Sequence, residues 1–370
     1  MQATSRRPVS ILLISDPGLP TRRAQAVRDD LQRLLDATFQ ESVRLLLHTS
    51  MLRLRPDDSL DLGDAVALAE QYEGPDVVLL LTEIPRLIDG HPLIAEIFPA
   101  ERVAVVSCPT LGAFRSRSRI IDALVDCARR MHPPPEPRPG VRVGTRWSHW
   151  TEVEGEDEHA MLRARAWLAG PRTVLGMIAG NEPIRTAPRL SSAMAAAAAT
   201  GAFGIFYSSI WAMSTYLSTP RLLGIGALAI MAMVTWLIVS NDLWDRPRRS
   251  NLARVVLLYN LSTVGTLLLC VLALYAALVA LILAGGTIVI APDYMATVIG
   301  DAPSWSTYLD IAWLSAAMGV VAGGLGSSFD SGTDLRSLTH GQRERQRRYT
   351  EEDGDRAAES RGAVADDAGS

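Results

Sequence analysis

Lysine is absent from this chain of 370 residues, and all 36 basic side chains are arginine. Schiff-base chemistry on a lysine amine and phosphate cradling by a P-loop lysine are thereby excluded. Cysteine is scarce as well. Cys108, Cys127 and Cys270 are far apart, and Cys270 falls inside an apolar tract, so neither a disulfide framework nor a zinc pattern can be read. No G-x-G-x-x-G or Walker loop follows the first apolar run, so no dinucleotide or nucleoside triphosphate is indicated and no cofactor is expected. That first run stops at Asp16 without a small-residue cleavage site behind it, which reads as a buried strand and not as a signal peptide.

Charge is plentiful before residue 190 and nearly missing afterwards, so the formal net charge of -4 averages two unlike halves. Residues 193–217, 222–241, 255–292 and 311–329 form uncharged tracts of 25, 20, 38 and 19 residues. A hydrocarbon core about 30 Å thick needs roughly 20 apolar residues as a helix. The third tract would reach about 57 Å at a rise of about 1.5 Å per residue, so it reads as one long helix or as a hairpin. Arginine placement decides between them. With one crossing there, Arg172, Arg185, Arg189, Arg246, Arg248, Arg249, Arg254 and the cluster from Arg336 to Arg348 share a side, and the opposite side holds only Arg221. The positive-inside bias favours that arrangement. The expected span runs from Arg254 to about Ala284 and is ended by Gly285-Gly286, with Trp305 and Tyr308 as interfacial anchors beyond it. The result is a four-helix transmembrane domain over residues 191–329 with both termini cytoplasmic. Gly319 and Gly323, four apart on the last helix, give a small-residue face for a helix contact within the chain or for a homo-oligomer. No ionisable residue is expected at mid-membrane, which argues against a proton relay or an ion-coupled transporter.

Residues 9–15, 43–48, 76–82 and 102–107 are short apolar runs without alternation, as expected of strands buried on both faces. Helical patterns at 22–37, 62–72 and 114–131 separate or follow them. The pattern predicts α/β structure over residues 1–131, a small doubly wound parallel sheet of about four strands, joined to the membrane all-α domain. Residues 132–190 are expected to form a stiff linker, HPPPEPRPG, and a juxtamembrane amphipathic helix over 160–179 along the headgroups. The acidic run at 149–159 reads as a solvated face complementing the start of that helix, and no metal site is expected there. Residues 330–370 are expected to be a disordered cytoplasmic tail whose arginines meet anionic lipid, with nucleic acid an unlikely partner.

Ligands of such sheets bind beyond the carboxyl ends of the strands. Three of those ends read Ser15-Asp16-Pro17-Gly18, Thr82-Glu83-Ile84-Pro85-Arg86 and Ser107-Cys108-Pro109-Thr110. Asp16, Gly18, Thr82, Glu83, Arg86, Ser107, Cys108 and Thr110 are therefore the candidate residues for a small polar ligand. The same Asp, Pro and Gly residues also suit plain turns. No catalytic residue is assigned. Cys108 as a nucleophile, with His91 as the nearest base, lacks a supporting spacing motif.

The segments DVVLLLTEIPR, RVAVVSCPTLGAF and LSSAMAAAAATGAFGIFYSSIWAM resemble a family of uncharacterised actinobacterial multi-pass membrane proteins over most of residues 8–330. Glu83 stands where that family more often has Asp, and Cys108 where it more often has Leu. The resemblance implies the architecture and the bacterial plasma membrane but no activity. The expectation for function is a lipid-embedded protein presenting a cytoplasmic domain that senses a small molecule or binds a protein. An oligomeric transporter or channel gated by that domain, and a membrane-associated hydrolase using Cys108 or Glu83, are the alternatives.

Overall fold

The computed structural model describes residues 7–39, 42–51, 62–72, 74–88, 91–134, 148–153, 159–164, 166–183, 191–246 and 253–327. The Pro-rich linker after residue 134, the acidic residues 154–158 and the tail beyond 327 lie outside them. Two compact units divide the described chain. The first runs to Gly180 and takes in the first turns of a later helix as far as Leu258, and the second begins at Asn181.

The first unit is built on strands β1 (Val9–Ser15), β2 (Val43–Thr49), β3 (Val77–Thr82), β4 (Arg86–Ile88), β5 (His91–Phe98), β6 (Val103–Ser107), β7 (Ser148–Val153) and β8 (His159–Ala164). They form one mixed sheet in the order β2-β1-β3-β6-β5-β8-β7, with β4 paired to β5. The order β2-β1-β3-β6 is parallel, and the pairings of β5, β7 and β8 are antiparallel. Every residue of β1, β3 and β6 is buried, which is why these strands are written as unbroken Val, Ile and Leu runs. β2 is only partly buried because it forms the edge.

The expectation of about four parallel strands is corrected here, since the sheet has eight and is mixed. The added strands do not look apolar. β5 contains Pro92 and Glu96, and β7 and β8 pair a Ser-His-Trp-Thr-Glu-Val segment with a His-Ala-Met-Leu-Arg-Ala one. Their places in the sheet are set by pairing, β5 with β6 and β8, and β8 in turn with β7. The sheet thus continues past residue 131, and part of the 149–159 stretch is a hairpin arm, not the lead-in to a helix.

Helices cover both faces of the sheet. Ile11, Leu13, Leu79, Leu81 and Val106 pack under α1 (Leu19–Phe39) and α3 (Ser116–Met131) through Val27, Leu31, Leu35, Ile120 and Leu124. Leu12, Ile14, Leu80 and Val105 point the other way, toward Ala65 and Ala69 of α2 (Leu62–Glu70). Full burial of each such aliphatic side chain is worth about 1.5–3 kcal/mol. β7 is fastened to α3 by Trp150 Nε1, which donates to Asp126 Oδ2 at 2.6 Å, while the Arg130 guanidinium lies 4.2 Å over the indole ring. Helix α4 (Ala166–Gly180) was expected along lipid headgroups. Instead Ala169, Thr173 and Met177 are fully buried, and Gly176 sits so close to the Pro109 carbonyl that a Cβ there would collide with it.

The second unit contains α5 (Ser191–Gly201), α6 (Phe203–Phe206), α7 (Ser208–Tyr216), α8 (Thr219–Ser240), α9 (Ala253–Val289), α10 (Pro292–Ile299) and α11 (Trp305–Ser327). Among the described residues, α8 and α9 are each long and apolar enough to cross a membrane. A third crossing exists if the stretch 193–216 counts as one span, and that stretch bends by 84° at Tyr207. α9 is a single helix of 37 residues, so the third tract is not a hairpin. The expected stop at Gly285-Gly286 is corrected as well, since the helix runs through both glycines to Val289. Two glycines are tolerated there because no Pro follows until 292 and Gly285 receives the side chain of Ile205.

Backbones in this unit approach closely. A Cβ on Gly319 would lie 2.5 Å from the Ala197 carbonyl oxygen, and one on Gly323 would lie 2.6 Å from that of Ala193. The small face of α11 therefore receives α5 of the same chain. Tyr275 donates to Trp313 O at 2.9 Å and meets its ring edge-on at 5.0 Å, while Trp313 Nε1 donates to Leu222 O at 2.8 Å. Buried polar groups are paired. Asn181 Nδ2 donates to Thr266 Oγ1 at 2.8 Å, and Asn260 bonds both the backbone N–H and the carbonyl of Asp245 at 2.9 Å.

Candidate functional site

The candidate residues lie where strand order reverses, at the carboxyl ends of β1, β3 and β6. β1 runs outward to β2 on one side while β3 and β6 lie on the other, and this is where open α/β sheets leave a crevice. The loops from β1 and β3 meet at the head of that crevice. Asp16 is fully buried there, and its Oδ2 accepts from Thr82 Oγ1 at 2.7 Å and from the Glu83 backbone N–H at 2.9 Å. Thr82 Oγ1 accepts in turn from the Ile84 N–H at 3.1 Å. Ser107 donates to Ile84 O at 3.0 Å, and Thr110 donates to Ser107 Oγ at 3.2 Å. Asp16, Thr82, Ser107 and Thr110 are thus joined in one buried chain of hydrogen bonds. A carboxylate can be held without solvent only when such donors converge on it.

Arg86 does not join them. It lies on β4, where its Nη2 meets Glu96 Oε2 of β5 at 2.6 Å. Burial pulls this guanidinium below its ordinary value, and Glu96 opposes that. Glu83 is nearly buried, so its carboxylate is not an open rim group. Gly18 is exposed, has φ +94° and leaves open space where a side chain would be. A left-handed residue is required there for the chain to turn from β1 into α1.

Cys108 is buried, and Arg23 Nη1 lies 3.1 Å from its sulfur. Burial pushes the thiol up, Arg23 pulls it down, and the charges of Glu83 and Asp16 push it further up, with the rise prevailing. A thiol held protonated is a poor nucleophile. His91, the base considered for it, opens β5 in an exposed position.

The side chains that surround this crevice include several that the apolar runs did not single out. Arg23 of α1, Arg119 of α3 and Arg172 of α4 donate to the carbonyls of Gly112, Leu111 and Thr110, in and just after the 3₁₀ turn Pro109–Leu111 that follows β6. A signal for two of them was present in the sequence. Helix first turns ordinarily carry acids that complement the positive end of the dipole. Here α1 has Arg22 and Arg23 as its fourth and fifth residues, and α3 opens after Arg115 with Arg117 and Arg119, with no acid in either first turn. Among the described residues, no three His, Cys, Asp or Glu side chains gather into a metal-binding group.

No family model, no curated protein and no solved structure matches this chain. The likeness of its strand ends and first apolar tract to the actinobacterial membrane proteins therefore stays a resemblance of those segments. What the crevice can do follows from its chemistry. Asp16 and the hydroxyls of Thr82, Ser107 and Thr110 are bonded to one another and to the loop backbone, burial raises the Cys108 thiol, and arginines edge the crevice.

Proposed function

We propose that this chain is a multi-pass membrane protein whose α/β unit is a non-enzymatic binding module for a small molecule or a protein partner. The observation that supports binding over catalysis is the state of the strand-end residues. Asp16 is fully buried and its Oδ2 holds the Thr82 hydroxyl and the Glu83 N–H, and Cys108 is buried against Arg23, so both are engaged in holding the loops together and withdrawn from solvent.

In this reading the second unit is a four-helix transmembrane bundle in a bacterial plasma membrane. The bent stretch 193–216, α8, α9 and α11 are its crossings. Residues 193–206 enter, and α7, turned by 84° from them, completes the passage to the far interface beside α10, with Trp211 and Tyr294 in edge contact at 5.8 Å. Exposed Tyr207, Tyr216, Tyr294 and Trp305 suit that interface, where aromatic rings collect. Arg246, Arg248, Arg249 and Arg254 then face the cytoplasm with both termini, and Arg221 faces out. Because Gly319 and Gly323 already seat α5, a homo-oligomer would need another surface, which weakens the channel reading.

Thermal unfolding of the purified chain against a metabolite panel, with crosslinking in cells, tests the binding role. A ligand-dependent rise or a recovered partner supports it. Turnover that falls in Cys108→Ser or Glu83→Gln would replace it with the hydrolase reading.

A further inference from the structure

Phe114 is 76 % exposed, more than any other large apolar side chain among the described residues of the first unit. A fixed loop displays it. Two residues before it, the Gly112 N–H donates to Pro109 O at 2.9 Å and the Gly112 carbonyl accepts from Arg23 Nη2 at 3.2 Å. Directly after it, Arg115 has φ 53° and ψ 26°, a left-handed conformation that is costly for a residue with a Cβ. The Arg115 carbonyl accepts from Ser118 Oγ at 3.4 Å as α3 begins. Backbone held off its favoured regions beside an exposed ring points to function.

The loop is also free of acids. Between Glu101 and Asp122 the sequence carries Arg102, Arg115, Arg117 and Arg119 and no carboxylate. Arg119 donates to Leu111 O and Arg117 is paired with Asp30, whereas the Arg115 side chain is exposed. Helix α4 is seated on the preceding turn, with Gly176 against the Pro109 carbonyl and Arg172 bonded to Thr110 O. Leu175, between them in the chain, is 46 % exposed. Residues 181–192 separate the end of α4 from the apolar tract that begins at Ala193, and a chain of that length reaches at most about 40 Å. A bilayer that holds the tract is thus offered to the loop at high effective concentration.

One ring and one leucine are too little for a protein partner, since a specific interface buries roughly 800 Å² on each side. They suit the headgroup layer of a membrane, where aromatic rings collect and basic side chains meet anionic lipid. We propose that Phe114 and Arg115, with Leu175 of α4, form a docking edge that rests on an anionic lipid surface, the ring entering the interface and the guanidinium meeting headgroup phosphates. The proposal rests on the membrane reading given above and supplies the α/β unit with a lipid partner.

The test uses the full chain with Ala113→Cys carrying an environment-sensitive fluorophore, the three native thiols being buried. The chain is placed in nanodiscs of phosphatidylglycerol or of phosphatidylcholine, each containing a lipid with a nitroxide near its headgroup. The label should be quenched in phosphatidylglycerol and much less in phosphatidylcholine. Arg115→Asn keeps a residue that accepts the left-handed backbone, removes the charge, and should lower the docked-to-free ratio about fivefold. Phe114→Ser should lower it at least as far, while a label at Glu101→Cys, at the other end of β6, should stay unquenched. If the labelled variant fails to fold, hydrogen exchange of the 113–117 amides in the unaltered chain should be slower in phosphatidylglycerol than in phosphatidylcholine. Quenching that is absent, equal in the two lipids or unaltered by the Phe114 and Arg115 variants overturns the proposal. A label shielded from aqueous iodide but not quenched by lipid overturns it in favour of a protein cover. A chain that stays soluble outside the nanodiscs overturns the membrane reading itself, whereas an embedded chain with an unquenched label overturns the docking edge alone.

Discussion

Thr82 donates its hydroxyl to the carboxylate of Asp16 at 2.7 Å, with both residues fully buried and 66 positions apart in the chain. This bond ties the end of β1 to the end of β3 at the point where strand order reverses. Replacing Thr82 by Val keeps the shape and leaves a buried carboxylate short of a donor, which should cost about 1–3 kcal/mol. Thr82→Ser should keep most of the stability. Hydrogen exchange at the β1 and β3 amides, compared across the two variants, reads the difference. Equal protection in Val and Ser variants would show that the bond contributes nothing.

The buried thiols give a pH dependence of known sign. Burial pushes both Cys108 and Cys127 up in the folded chain. A group whose folded value is raised contributes stability that is complete below the unfolded value and is lost as pH rises toward the folded one. Stability of the α/β unit should therefore begin to fall above about pH 8.5, the ordinary thiol value. Cys108→Ser and Cys127→Ala should flatten that fall, and iodoacetamide should label neither thiol quickly at neutral pH in the folded chain. Rapid alkylation of Cys108 would contradict the account of its surroundings.

The extent of the sheet can be tested by cutting the chain. A fragment ending at residue 135 contains α3 but lacks β7 and β8, so β5 becomes an open edge with unpaired backbone groups. It should aggregate or show weak protection of β5. A fragment ending at residue 183 keeps the edge covered, along with Trp150 on Asp126 and α4 on the 109–111 turn. Light scattering and circular dichroism of the two compare them directly, and equal behaviour would mean that β7, β8 and α4 are dispensable.

Close approach of α5 and α11 predicts intolerance of side chains at two positions. Gly319→Leu and Gly323→Leu place atoms where the Ala197 and Ala193 carbonyls lie, and such overpacking costs about 1–3 kcal/mol or more. The measurement is thermal unfolding in detergent, with Gly224→Leu as the control because nothing lies within 4 Å of that position. A control as damaging as the test variants would remove the packing argument.

How far the sequence revealed the fold can be followed residue by residue. Val77–Thr82 and Val103–Ser107 were legible because a strand buried on both faces needs apolar side chains on both, which leaves an unbroken run. Glu96 hid β5, since its buried charge is matched by Arg86 from another strand, and a pairing across a hairpin has no local mark. β7 and β8 were hidden for the same reason, since β8 joins the sheet through β5 on the far side of a Pro-rich segment and β7 joins through β8. α4 was seen as an apolar stretch carrying arginines, a pattern that suits a lipid surface and a protein surface equally. Only the fit of Gly176 to Pro109 and of Arg172 to Thr110 distinguishes them. At the candidate site, spacing found the buried acids and hydroxyls because turns advertise Asp, Pro and Gly. The arginines around them came from separate helices, and only the acid-free starts of α1 and α3 gave a local hint, for Arg23 and Arg119 and not for Arg172.

The most direct test of the central claim is a pair of reporter fusions in a bacterial host, one inserted at Asp301 in the connection between α10 and α11 and the other joined after residue 330. A reporter active only outside the cytoplasm should work at Asp301 and be silent after residue 330, while a cytoplasmic reporter should give the reverse. Equal sidedness at the two positions, or recovery of the chain in the soluble fraction without detergent, would contradict a membrane protein that presents its α/β unit to the cell interior.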